Sequence, residues 1–222
     1  MNLTRREWMA LSAAGVLPAA PRPAATHFRV HPFLEANPRA VFIQRTRVAA
    51  KTDAAAKQKA GLDLIRQVLL PAGEGVPVSH RVILKPNFTS VRNSRPDIEN
   101  WGTGTDQDFY EGVVVGLKQL GVKRMDFLEA NGFHTWNYRG LVDINERHGV
   151  DMNEPDRRER NFRDSYEMTW TKVPDAVVYT RIPHFAPVNE PSTWLLNIAK
   201  WKSHGMCMTL ATKNLQGLVV KP

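Results

Sequence analysis

The sequence predicts an α/β protein: a mostly parallel sheet with helices on both faces, Rossmann-like in its layering and incomplete. Two observations lead there. Apolar runs of strand length stand at 40–43, 81–87, 123–129 and 193–199, and segments of helical periodicity follow the first three. Strand and helix alternating at these spacings is the pattern of a parallel sheet with right-handed crossovers. Polar groups also stand where the runs end: Lys85 with Asn87, then Glu129, then Lys200, Lys202 and His204. Parallel α/β sheets bind ligands beyond the carboxyl ends of their strands, so the expected fold and the expected site support each other.

The chain opens with Arg5 and Arg6 ahead of a short, weakly apolar run, Ala10 to Leu17, followed by prolines and alanines. A basic start, an apolar stretch too short for a bilayer and small residues behind it form the layout of a twin-arginine export signal, expected over residues 1–25. That layout implies the twin-arginine export machinery as a partner and a periplasmic or otherwise exported location. It also implies no stable membrane span in the mature chain. Residues 26–39, with Pro32 and Pro38, are expected to be an irregular lead-in, and residues 40–222 a single α/β domain.

Within that domain, Ala40 to Ile43 is the first strand expected. A helix capped by Thr52 or Asp53 follows, with Leu62, Ile65 and Leu69 on one face and Pro71 beyond its end. Arg81 to Asn87 is a buried strand that Pro86 brings to a close. The long loop after it ends in Gly102, Thr103, Gly104 and Thr105, whose amides and hydroxyls could hold an anion at the start of the next helix. Asp106 caps that helix; Phe109, Val113, Leu117 and Leu120 make its apolar stripe, and Gly121 ends it. The strand at 123–129 delivers Glu129, and a helix capped by Asn137 carries Leu141, Ile144 and a half-buried His148 up to Gly149. Strands at 167–173 and 176–182 are separated by a turn at Pro174 and Asp175. The last strand covers 193–199, and a helix is expected to start near Met206 and to stack Thr209 on Lys213.

Charged residues at 23% and apolar residues at 42% describe a globular chain of 222 residues. The net charge of +8 raises the question of nucleic acid. Arg5, Arg6 and Arg22 against Glu7 account for +2 of it in the expected signal, and the rest is dispersed without a basic stripe interleaved with aromatics, so no nucleic-acid partner is expected. Cys207 is the single cysteine, which excludes an intrachain disulfide and an iron–sulfur cluster held by this chain alone.

The densest polar constellation is the segment in which Asn197, Lys200, Lys202 and His204 precede Thr209, Lys213, Asn214 and Gly217. It resembles the family catalogued as domain of unknown function 362, whose usual segment runs Asn, apolar, Pro, Lys, apolar, Lys, Thr, His, then Thr, then Lys, Asn, apolar, any residue, Gly. Ala199 stands where the family commonly has proline, and the gap from His204 to Thr209 is one residue shorter. The Lys85-Pro86-Asn87 strand end, the Gly-Thr loop and Gly140-Leu141 are similar to family members as well, so the resemblance covers about residues 81–219. It implies an α/β domain that usually extends further than this chain does. Some relatives carry iron–sulfur ferredoxin modules, which puts a redox-related enzyme among the implied roles.

The expected function is binding of an anionic small molecule or cofactor at the strand carboxyl ends. Lys85, Lys200, Lys202 and Lys213 would supply charge, Asn87 and Asn214 orientation, and Thr103, Thr105, Glu129 and Thr209 further contacts. His204 and Lys202 are the candidates for proton transfer. Nothing in the residues names the cofactor. A non-catalytic ligand-binding or partner-docking module is the alternative, and a metal-dependent enzyme using His204, His134 and Glu129 is a third reading that clustered lysines oppose.

Overall fold

The computed structural model describes residues 28–71, 74, 76–77, 81–88, 103–129, 133–152, 168–191, 193–204 and 207–219. Its centre is a four-stranded parallel sheet. The strands are β4 (Arg81–Pro86), β5 (Arg124–Phe127), β6 (Asp151–Met152) and β9 (Thr193–Ile198), in the order β6-β5-β4-β9. Val82, Ile83, Leu84 and Lys85 are all buried, the mark of a strand covered on both faces. Parallel pairing sets Lys85 opposite Asn197 and Leu84 opposite Phe127, so the carboxyl ends of β4, β5 and β9 lie at one edge of the sheet.

The two faces are covered differently. On one, Val82, Leu84, Met125 and Phe127 pack against three helices: α2 (Ala54–Val68), α3 (Gln107–Gln119) and α5 (Leu141–His148). Asp53 caps α2 by accepting from Ala56 N, and Asp106 caps α3, which carries its expected apolar stripe; in α2 Ile65 is buried beside Ala60 and Gly61, while Leu69, expected on the same face, lies past the helix in a strand. They approach each other through Gly61 and Gly112, where an added Cβ would lie 2.1 Å from Phe109 O and 1.9 Å from Gln58 O. Gly121 and Gly149 end α3 and α5 with φ of 86° and 66°. His148 is half-buried and pairs with Glu111 at 2.9 Å.

On the other face, Ile83, Leu128 and Leu195 meet Phe185, Leu215 and Leu218. These come from the antiparallel pair β7 (Met168–Lys172) and β8 (Arg181–Phe185), and from the short helix α6 (Ala211–Asn214) with its 3-10 continuation Leu215–Leu218. Among the described residues helices thus lie on both faces: the three long ones and the turn at Phe133–Tyr138 on one side, and the short turn of α6 on the other.

Four local expectations fail. Residues 40–43 are not a strand: Val41 and Ile43 are 84% and 93% exposed. The first strand is instead β1 (Phe28–Val30), inside the supposed lead-in, and helix α1 (Pro32–Ala36) follows it. β1 pairs antiparallel with β2 (Leu69–Pro71) and β3 (Val76–Pro77), and Phe28 is buried with its ring 5.2 Å from that of Trp194. Strand propensity is similar in the two segments; a partner edge and a buried neighbour exist for only one. Asn137 is not an N-cap. It sits inside helix α4 (Phe133–Tyr138), a turn anchored by buried Trp136 against Phe127, and the N-cap of α5 is Gly140.

The hairpin expected at 167–182 exists, but its second strand starts at Arg181, and Val177, Val178 and Tyr179 are exposed in the connection. Pairing of Lys172 with Arg181 fixes that later start. Finally, of the helix expected to start near Met206, residues 205–206 lie outside the described residues, and Cys207 to Thr209 are a strand. The chain forms an antiparallel hairpin, β10 (Lys202–His204) with β11 (Cys207–Thr209), before α6. Thr209 therefore belongs to a strand and Lys213 to the helix after it, so the two do not stack on one helix. Residues 1–25, with the expected export signal, lie outside the described residues.

Candidate functional site

The site is built where β4 and β9 end. Lys85 closes β4 on the face away from the long helices and is 1% exposed. Its ammonium has three protons and uses all of them inside the protein: to Glu129 Oε2 at 2.5 Å, Pro86 O at 2.8 Å and Asn214 Oδ1 at 3.2 Å. Burial lowers the Lys85 pKa, and the carboxylate of Glu129 opposes that shift.

Asn214 joins the pieces. Its oxygen accepts from Lys85 Nζ and from Asn87 Nδ2 at 3.0 Å, while its amide donates to Lys85 O at 3.0 Å and to Asn197 Oδ1 at 2.7 Å. That is the full capacity of a carboxamide, and the residue is 5% exposed. Asn197 in turn donates to Ala211 O at 2.9 Å. Gly217 passes directly over the pair, since a Cβ there would lie 2.7 Å from Glu129 Oε1 and 2.9 Å from Lys85 Cε. Asn197, Lys85, Glu129, Asn214 and Gly217 are thus a single cluster that locks α6 and its continuation onto two strand ends.

Thr105 ties in the loop before α3. Its hydroxyl accepts from Asn87 N at 2.8 Å and donates to Ile198 O at 2.6 Å. The positive end of α3 is occupied by the chain itself: Asp106 Oδ1 accepts from Asp108 N and Phe109 N, and Lys57 pairs with both Asp106 and Asp108. The Asp106 carboxylate thus engages the first amides of the helix itself, and Gly102, the start of the loop expected to hold an anion, lies outside the described residues.

The second group of cations is half-buried at the surface. Lys202 donates to Thr103 O, and Arg139 donates to Thr103 Oγ1 at 2.8 Å with its guanidinium over the Phe88 ring. The Lys202 pKa is lowered, first by burial and then by the like charges of Arg139 and Lys213, with a smaller contribution from Lys200; Glu129 opposes them. Burial lowers that of Arg139 too. Lys200 also lines a cleft of about 520 Å³ between the 46–51 segment, the start of α3 and the end of β9, whereas Lys213 lines a groove of about 580 Å³ on the far side of the hairpin. Lys200 lies in the connection between β9 and β10, whereas Lys202 begins β10.

The expected residues thus fall into two sets. Lys85, Asn87, Thr105, Glu129 and Asn214 form the internal network, while Thr103, Lys200, Lys202 and Lys213 surround it. The backbone of His204 pairs with Cys207 and that of Thr209 with Lys202. The side chains of His204, Thr209 and His134 lie outside what the structure describes. Among the described residues no group of three His, Cys, Asp or Glu side chains could hold a metal, and no helix is long and apolar enough to cross a membrane. Sequence reasoning missed Arg139, whose only signal was its place beside Gly140-Leu141. It also placed Asn197 in the segment without giving it a role.

The model of the family described as "Domain of unknown function (DUF362)" matches residues 82–222. The chain belongs to this family. The match begins on β4 and runs through the whole network and hairpin, so the clustered polar residues are all within the family's domain. No curated protein and no solved structure matches the chain.

Proposed function

We infer that this DUF362 member binds an anionic small molecule or cofactor at the carboxyl ends of β4 and β9, against Lys202, Lys213, Lys200 and Arg139. One observation carries the reading: half-buried Lys202 and Arg139 meet on one residue, Lys202 donating to Thr103 O and Arg139 to Thr103 Oγ1, so two like charges are held side by side and a bound anion would offset their repulsion. The buried network behind them supports it by fixing the ends of β4, β9 and α6, because preorganised donors bind without first being ordered. Lys85, Glu129 and Asn214 then hold the site in shape from below, and the half-buried cations contact the ligand. If the ligand is turned over, Lys202 is suited to proton transfer by its lowered pKa, with His204 as the second candidate.

Titration calorimetry with inorganic pyrophosphate tests the reading. Affinity should fall as ionic strength rises, and Lys202→Met should weaken binding by about 1–3 kcal/mol, the worth of a charge-assisted hydrogen bond. Equal affinity in the variant and wild type would remove Lys202 from the site. We further propose export by the twin-arginine route. Replacing Arg5 and Arg6 by lysine should retain the protein in the cytoplasm, and undiminished export of that double variant would dismiss the signal.

A further inference from the structure

The antiparallel pair β7 and β8 is packed at one end and exposed at the other. At its base Met168 pairs with Phe185, which is buried with Ile83, Leu128 and Leu218, and Met168 packs against the same cluster. Four residues further, about 13 Å along a strand, Lys172 pairs with Arg181 and both are exposed. Beyond them Val173 N donates to Thr180 O and closes a connection that turns at Pro174 and Asp175, where Asp175 has a φ of 54°. The rest of that tip holds Val177, Val178 and Tyr179, exposed by 92%, 75% and 69%. Hairpin tips are ordinarily built from Gly, Asn, Asp or Ser. Two valines and a tyrosine in succession there are unfavourable on a surface that meets only water.

Two cations and a second aromatic stand behind the tip. Trp170 faces Pro183 and Lys172 faces Arg181, so by parity Trp170, Lys172 and Arg181 share one side of the hairpin. Arg181 lies over the Trp170 ring, 4.4 Å from its centroid. Lys172 and Arg181 are like charges directly across from each other, a pairing that destabilises a hairpin in water and that an anionic surface offsets. Asp175, in the turn, is the acid that opposes them, so the hairpin keeps a net positive charge.

We propose that this hairpin is a membrane-contact element: Val177, Val178 and Tyr179 enter the headgroup boundary of an anionic lipid surface, and Lys172 and Arg181 meet its headgroups behind them. The order along the hairpin selects lipid as the occupant. Apolar side chains come first, the Tyr179 hydroxyl and the Trp170 indole suit the wet boundary, and the cations follow, which is the arrangement of an anchor that enters an interface without spanning it. Anionic headgroups attract both cations at short range. The proposal is independent of the anion site at Lys202, because it uses none of the same residues.

Vesicles test it on the full chain, with a reporter at the tip itself. In a Cys207→Ser background, Val178→Cys is labelled with the polarity-sensitive fluorophore NBD, and Ile43→Cys, at another exposed position, carries the same label as the control. Vesicles of phosphatidylcholine mixed with phosphatidylglycerol should shift the emission of the label at 178 to the blue and leave the label at 43 unchanged. Adding Lys172→Gln with Arg181→Gln should raise the lipid concentration needed for half of that change by roughly tenfold or more, since two cations near the surface are lost. Asp175→Asn should lower it. No shift at 178, or an equal shift at both positions, would overturn the proposal even if the chain sediments with vesicles through its other cations. An unchanged lipid requirement in the Lys172 and Arg181 double variant would overturn it by removing the cations from the contact. So would a blue shift at 178 that grows with protein concentration in the absence of lipid, since that gives the tip to a second copy of this chain.

Discussion

Two groups of lysines lie close together in this protein and are treated in opposite ways. Lys85 is sealed beneath Gly217 with its three protons on Glu129, Pro86 and Asn214, while Lys202 is half-buried among Arg139, Lys213 and Lys200. Burial lowers both pKa values, but the main opposing influence at Lys85 is an adjoining carboxylate, whereas the neighbours of Lys202 are mostly of its own sign. The comparison teaches that a cation close to a pocket is not thereby a ligand contact. A lysine whose donors are fully used holds the frame, and the proposed anion site rests instead on the one crowded by like charge.

The largest effect that could break this contrast is on stability. Glu129→Leu leaves the Lys85 ammonium buried without its carboxylate and should cost about 3–5 kcal/mol in urea unfolding. The double change Lys85→Met with Glu129→Leu should recover most of that loss, because it removes both charges together. Recovery failing to occur would mean that the pair does more than balance its own charge. Gly217→Ala should destabilise by about 1–3 kcal/mol, since its methyl meets Glu129 and Lys85 in a packed setting. An unchanged unfolding midpoint would show that the turn over the pair can shift aside.

Lys202→Met should do the reverse of Glu129→Leu, changing unfolding stability by less than about 0.5 kcal/mol while weakening pyrophosphate binding. A large loss of stability would erase the distinction between frame and contact. The smallest effect is on pH. Anion binding favours charged Lys202, so affinity is full below its lowered pKa and is lost as pH rises through it. Lys213→Met removes a like charge, raises the Lys202 pKa and should move the alkaline loss of binding to higher pH. Binding profiles of Lys213→Met and wild type measured across the alkaline range decide it; a downward shift would contradict the charge arrangement.

Periodicity and caps made the frame legible. Asp53 and Asp106 as N-caps, the stripe from Phe109 to Leu120, Gly121 and Gly149 as terminators, and the apolar runs of β4, β5 and β9 are local features, each set by residues within a few positions of one another. They sufficed for an α/β class with a parallel sheet, and therefore for placing Lys85 and Glu129 at the same end. The family segment from Asn197 to Gly217 was likewise visible as a pattern of residue types.

What the sequence could not decide were matters of partnership. Ala40 to Ile43 is the more apolar run, yet the presence of β2, β3 and Trp194 beside Phe28-Arg29-Val30 made that segment the strand. Met206 to Lys213 has helical spacing, but closure of β10 onto β11 keeps Thr209 in a strand and sends Lys213 to the next element. Lys85 and Lys202 are the same residue type at two strand ends. Their difference arises because Glu129, Asn214 and Gly217, distant along the chain, close around one of them, and hydrogen-bond satisfaction inside a protein depends on what tertiary packing brings within about 3 Å.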